Sequence, residues 1–573
     1  MEIELLGRMQ EIALESRHSF TAFIDENSRA NKDNMDWWVS SVSNRNTLDS
    51  PLFYHFCCLA LVKELADNRR LPPIILTGSP ALASVIKDYA KQQGIKVNVR
   101  TGQSIRDHIS RMMAPIRSYL SVLSHVFRQA VTARLSKIDA QPASGESITL
   151  VETFVLNNSF SNGRFVDRYY PGMLDSLGPG EAGQIRYLPT FYEVRKYREV
   201  FRYIRQQADR FLVKEDYLCL PDYWNGLTYP YRTGSFRFPQ QSYLGFKVGP
   251  LLKEELYRTA ASYSSIEGLL KFNFAKRLRG AGVSLRLVVD WFENQIIDHG
   301  VIAGLKRSYP DVPVIGYSGY PLPQTYLCAF PTEVEMDAGI LPDEIVVIGA
   351  GWVQMIRMFC PKLHVTVGPA FRFQGVGKEY GIERTDNRFT VLVGLPIREQ
   401  DGLAILRLLK RTISQRPELA DYRFCIKPHP SYNVRLFKQH LGRQWPDAFE
   451  IVEGSFDEWV SQADLLISNA SSTCMETLVR GVPVIIAGNQ GGLTPNPISS
   501  EIDQALWRIC FSPESLGESI AFFESAGDER RPEWREYGKQ VAARFFSPVS
   551  AESVHRLLRW PQGYLMAGNG SEE

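Results

Sequence analysis

Residues 464–489, DLLISNASSTCMETLVRGVPVIIAGN, constrain the fold more than any other stretch of the chain. Residues 465–467 are a short apolar run of strand type, broken by Ser468, Asn469, Ala470, Ser471 and Ser472. Residues 473–480 then read as a helix closed by Gly481 at a C-cap position. Residues 482–487 are a second apolar, β-branched run, the pattern of a strand buried on both faces. The stretch is one βαβ unit, with its small-residue turn at the carboxyl edge of a parallel sheet, where open α/β sheets bind ligands. Ser hydroxyls and backbone N–H groups at a helix start suit a phosphate, and Glu476 shares that mouth, within reach of a ribose. The same pattern also serves as a plain helix cap, and this stretch alone leaves both readings open.

A chain of 573 residues has room for several such units and for large cores. Its net charge of +2 gives no global bias toward nucleic acid, so any basic patch is local. The eight Cys show neither CxxC nor Cys/His spacing, which argues against a zinc site and a disulfide framework and points to a reducing cytoplasm. The first twenty residues are acidic and amphipathic without a signal-peptide core, and no run of eighteen apolar residues is present.

Taken in order, residues 1–34 read as an N-terminal helix and linker. Residues 35–340 read as a Rossmann-like domain, with strands at 37–42, 73–77, 97–100, 148–155, 285–289 and 312–317. A helical insertion at 104–138 interrupts it, with Arg106, Arg111, Arg117, Arg128, Arg134 and Lys137 set among Met, Leu, Val and Phe. Such a basic amphipathic segment either lies in an anionic membrane surface or packs on its own domain with a solvated face. Residues 341–388 read as an interdomain crossover that opens on a strand at 342–348, 389–530 as a second Rossmann-like domain, and 531–573 as C-terminal helices and a tail. The fold class is thus α/β, with two Rossmann-type doubly wound domains.

The chemistry concentrates at strand ends. Lys427-Pro428-His429-Pro430 follows a buried strand directly, and its two prolines hold the imidazole in one direction at little entropic cost on binding. A His so held, beside Lys427, can donate a hydrogen bond to a phosphate leaving group; otherwise it is a surface His between turn prolines. Ser468, Ser471 and Ser472 belong to the same sheet edge, so the two turns form one pocket. Asp290 and Glu293 sit where a strand hands over to a helix, placed either for chemistry or as helix-capping acids. Asp401 lies in the loop after the first strand of the second domain, as a nucleophile or as the N-cap of a helix from Leu403.

The KPHP turn, followed by the strand, the SNASS turn, the helix and GVPVI, resembles the C-terminal half of GT-B glycosyltransferases of bacterial surface polysaccharides. Similar patterns occur in capsule Kdo transferases, polysialyltransferases and teichoic-acid glycerophosphotransferases. The first half, with SNRN, SPLF and WFENQ…IGYSGYP, is similar to surface-carbohydrate biosynthesis proteins. The resemblance implies a GT-B-like fold, with an acceptor domain at 35–340 and a nucleotide-sugar domain at 389–530 across a cleft. It implies that His429, Pro430, Ser471 and Ser472 hold the CMP phosphate and ribose of a CMP-ulosonate donor, with Glu476 near the nucleoside; Lys427, Ser468 and Asn469 are the other residues expected at that pocket. It implies Asp401 as a nucleophile in a retaining reaction, and leaves Glu293 as the base if the reaction inverts. A single-phosphate donor needs no metal where Lys427, His429 and helix N–H groups carry its charge, and no cofactor is expected. The partners expected are a CMP-sugar, a glycan or lipid-linked glycan acceptor and an anionic membrane surface at 104–138, with the protein peripheral at the cytoplasmic face of the inner membrane. The alternatives are a UDP-sugar or CDP-polyol transferase or epimerase, or a non-catalytic scaffold of the same fold.

Overall fold

The computed structural model describes residues 3–102, 105–138, 147–376, 388–429, 437, 439, 445–469 and 471–560. Within them the apolar runs of the second half form a six-stranded, all-parallel sheet. Its spatial order is Phe449–Ile451, Arg423–Lys427, Thr390–Gly394, Leu465–Ser468, Val484–Ala487 and Trp507–Cys510. In chain order this is 3-2-1-4-5-6, the order of doubly wound dinucleotide-binding sheets. Its central strands are buried throughout, as sheets covered on both faces require. Gly394 pairs with Lys427 and Val393 with Ile467, so the three central strands end level with one another.

A second six-stranded parallel sheet occupies the first half. Its order is Val365–Val367, Glu344–Val347, Val314–Ser318, Ser284–Trp291, Ser147–Val155 and Ile185–Phe191. In chain order this is 6-5-4-3-1-2, so the winding reverses between Ser147–Val155 and Ser284–Trp291. Pro189 sits on the edge strand, where its missing N–H is tolerated. The helices Tyr263–Gly280 and Ile296–Ser308 cover this sheet at very close approach. A Cβ on Gly300 would lie 2.0 Å from the Gly268 carbonyl oxygen, and one on Gly304 would lie 2.7 Å from that of Phe272. The chain is therefore α/β, with two Rossmann-type domains in a GT-B-like arrangement.

The beginning of the chain departs from expectation. Residues 37–42 are not a strand but parts of two short helices, Met35–Trp38 and Ser41–Asn44, whose starts are capped by Asn34 and Ser40. Trp37, Trp38, Val39 and Val42 are all buried, and a short apolar run enclosed on every side carries no period to separate helix from strand. Ile74–Thr77 and Asn98–Thr101 are strands, yet they pair only with each other among the described residues. With the helices Ile3–Arg29 and Leu52–Asp67 they make a separate core. Two strands of the first sheet come from the stretch read as a crossover: Glu344–Val347, inside the strand expected at 342–348, and Val365–Val367, which the sequence does not mark. The helix Glu399–Gln415 starts four residues earlier than Leu403, with Glu399 and Asp401 in its first turn.

The 33-residue helix Pro513–Phe545 carries the chain back to the first domain. There Trp352 Nε1 donates to the Phe545 carbonyl (3.0 Å), and Ser547 N donates to the Ile348 carbonyl (2.6 Å). The following helix, Ala551–Leu557, docks by His555 on Glu181 (3.0 Å). No helix among the described residues is long and apolar enough to cross a membrane.

Candidate functional site

At the carboxyl edge of the second sheet, the Ser468 hydroxyl is buried and donates to the Gly394 carbonyl at 2.7 Å. It ties together the two strands at the reversal point, so its role is to hold the edge rather than to face a ligand. Ser471 accepts from Thr473 N (3.3 Å) and from the Thr473 hydroxyl (2.9 Å). Ser472 donates to Glu476 Oε1 at 3.1 Å. Ser471, Ser472, Thr473 and Glu476 are all partly exposed, whereas Asn469 is buried. Burial raises the Glu476 carboxyl above the usual glutamate range, against the Ser472 hydrogen bond and the charges of Arg372 and Arg480.

His429 leaves the neighbouring strand end half-buried. Burial holds its imidazole below the ordinary range; Arg168 acts in the same direction and Glu193 against it. At neutral pH the ring is therefore neutral and interacts through one N–H, as an electrophilic hydrogen-bond donor does. Lys427 is partly exposed beside it, and Pro430 lies outside the described residues. Arg168 and Glu193 follow the strands Ser147–Val155 and Ile185–Phe191 of the other domain, so His429 looks across at the carboxyl edge of the first sheet.

On that facing edge, Glu293 follows the strand Ser284–Trp291 and is partly exposed. Its carboxylate accepts from Trp291 Nε1 (2.9 Å) and Gln295 Nε2 (2.5 Å), and its backbone N–H donates to Asp298 (3.0 Å). The turn is held from behind: Asn294, at φ 53°, donates to the Cys328 carbonyl (2.8 Å) and accepts the approach of His299 Nε2 (3.0 Å). Asn44 donates to the Asn294 carbonyl (2.8 Å), so SNRN and WFENQ, far apart in sequence, form one structure. Burial raises the Glu293 carboxyl, against the hydrogen bonds from Trp291 and Gln295 and the charge of Arg372. A raised carboxyl fits a general base working near neutral pH. Asp290 is different. It is 1% exposed, neither carboxyl oxygen has a hydrogen-bond partner among the described residues, and burial pushes it well above the carboxylate range. It is an interior acid, closed off from the cleft.

Asp401 is not an N-cap; it sits in the first turn, with its N–H on the Arg398 carbonyl (3.1 Å). Burial raises its carboxyl and Arg398 opposes this. Arg398 itself reaches across to the Leu48 carbonyl and to Asp49 (3.4 Å) in the first domain. Tyr192, whose hydroxyl feels Glu193, Asp49, Arg398 and Glu293, marks the region these groups share. The turns carrying Arg398, His429 and Glu476 thus all meet residues of the first domain. Sequence reasoning missed Arg168, Tyr169, Tyr192, Glu193 and Arg372 on the facing side. Arg168-Tyr169 and Tyr192-Glu193 lie in the Tyr- and Arg-rich stretch 160–240, whose composition suits sugar and anion contacts as well as irregular core loops, and no spacing there or at Arg372 marks individual residues.

No protein-family model matches the sequence, and no curated protein matches it. Among solved structures, the chain is similar to the S. aureus MnaA–UDP complex (TM-score 0.41, 11% identity, 72% of this chain and 98% of that one). It is also similar to the UDP-GlcNAc 2-epimerase of Neisseria meningitidis bound to UDP-GlcNAc (0.39, 11%, 72% and 99%). A third similarity is to the wall teichoic acid polymerase TagF (0.36, 12%, 78% and 98%). At these identities and scores no substrate passes from them to this chain, and the architecture stands on its own strand orders.

Proposed function

We propose that this protein is a glycosyltransferase moving an ulosonic acid, Kdo or a sialic acid-like nonulosonate, from a CMP donor to a surface-polysaccharide acceptor. The observation that supports it most is the opposition of two carboxyl edges: the His429 and Glu476 turns on one, Glu293 on the other. In this reading Lys427, His429 and Pro430 hold the phosphate, Asn469, Ser471 and Ser472 the phosphate and ribose, and Glu476 the nucleoside. Glu293 takes the proton of the acceptor hydroxyl, and Asp401 is the candidate nucleophile if the configuration is retained. Lys427 meets the charge at the phosphate and the neutral His429 ring donates a hydrogen bond to it, so this reading needs no metal. The helix Ile105–Leu135 buries Val122, Val126 and Ala133 on one face and leaves Leu120 (59% exposed), Phe127 (69%) and Leu135 (83%) outward. With Arg117, Arg128 and Arg134 on the same helix, that outward face suits an anionic membrane carrying a lipid-linked acceptor.

Calorimetry with CMP, CDP and UDP tests the donor. CMP binding that survives EDTA, and weakens at least about tenfold in His429→Ala, is expected from the loss of a charge-assisted contact. A preference for UDP, or no nucleotide binding at all, overturns the reading.

A further inference from the structure

We propose that Arg372 is a second anion subsite, separate from the Lys427–His429 turn, that recognises a carboxylate or phosphate on the unit being transferred. This rests on the donor reading above and names the chemistry of that unit. Arg372 lies in the short helical turn Phe371–Phe373, whose flanking rings are both buried. Phe371 N donates to the Tyr317 hydroxyl (3.3 Å), which itself donates to the Pro369 carbonyl (2.6 Å), and Gln374 donates to the Pro171 carbonyl (2.6 Å). The backbone is thus clamped on both sides while the Arg372 side chain is exposed.

Its guanidinium carbon lies 5.9 Å from the Tyr169 ring centre and 5.8 Å from that of Trp291. Aromatic faces at that range attract the cation and leave its N–H edges open for a planar, two-oxygen partner. Among the described residues Arg372 makes no hydrogen bond or ion pair. Trp291 is the residue that donates to Glu293, which places Arg372 beside the candidate base. On the other side, Arg480 donates to the Glu476 carbonyl (2.7 Å) and to the Gly375 carbonyl (3.2 Å), which ties the Glu476 helix to the segment just after Arg372. A cation between the base of one domain and the nucleoside-side acid of the other stands where the transferred unit must lie. An ulosonate carboxylate or the outer phosphate of a CDP-polyol would give this guanidinium the direct two-oxygen contact that neither Glu293 nor Glu476 makes with it, and a neutral sugar would not.

The test is calorimetry on the full chain with CMP, CMP-N-acetylneuraminate and CDP-glycerol. Wild type is expected to bind one of the conjugates at least about tenfold tighter than CMP, and the preferred conjugate tells carboxylate from phosphate. Arg372→Ala and Arg372→Lys should both erase that advantage while CMP affinity stays within about twofold, because a point charge does not replace a two-pronged contact. Equal losses for CMP and the conjugates, or no loss in either variant, overturn the inference while leaving the donor reading intact. Failure of wild type to bind CMP overturns the donor reading itself, and this inference with it. Unchanged melting temperatures in both variants exclude misfolding as the cause of a loss.

Discussion

Two carboxylates with different fates show what single residues can carry. Glu293 and Asp290 leave the same strand three residues apart, and burial raises both. Only Glu293 reaches the cleft, and it keeps hydrogen bonds suited to the charged form. As a base it must be deprotonated, so activity should rise with pH through an inflection above the ordinary glutamate range. Glu293→Gln should lower kcat by about two orders of magnitude or more without weakening CMP binding. A variant retaining wild-type kcat removes Glu293 from the chemistry. The sequence showed both acids at a strand end but not which of them pointed inward, because that turns on Glu152 and Lys271, from distant parts of the chain, closing round Asp290 together with Asp298 of the following helix. Arg372 was illegible for a similar reason: Phe-Arg-Phe gives no spacing that distinguishes a clamped cation from an ordinary surface one.

Among elements, the strands of the second sheet were the most legible, since 390–394, 423–427, 465–468 and 484–487 are apolar runs bounded by turn residues. The strand Trp507–Cys510 escaped because Arg508 interrupts its apolar run; in the structure the guanidinium covers the Phe522 ring at 3.7 Å. Tight helix pairing left a trace only as scattered glycines. Gly300→Ala drives a methyl group against the Gly268 carbonyl, so the two helices must separate. A loss of about 1–3 kcal/mol or more, read as a lower melting temperature, is expected, and an unchanged melt contradicts the contact. For the helix Ile105–Leu135, Phe127→Ser together with Leu135→Ser should reduce sedimentation with phosphatidylglycerol vesicles while leaving CMP affinity unchanged. Equal sedimentation of variant and wild type excludes this face as the membrane contact.

At the scale of the whole molecule, the end of the helix Pro513–Phe545 is fastened to the first domain next to the segment that precedes the second domain. Ala370, near the first passage, donates to the Ser547 carbonyl (3.0 Å) of the second. Phe545 fills the space beside Gly349 and Gly351, where a Cβ would come within 2.2 and 2.4 Å of it. Phe545→Ala should therefore cost about 3–5 kcal/mol of stability and lower the melting temperature, and a neutral result shows that this seam does not join the domains. The Ala370 and Ser547 backbones bind the end of the long helix to the segment that carries Arg372. With Arg372 only two residues from that seam, the guanidinium is anchored to both halves of the molecule at once, and the exposed contacts of Arg398 with Leu48 and Asp49 join the same halves a second time.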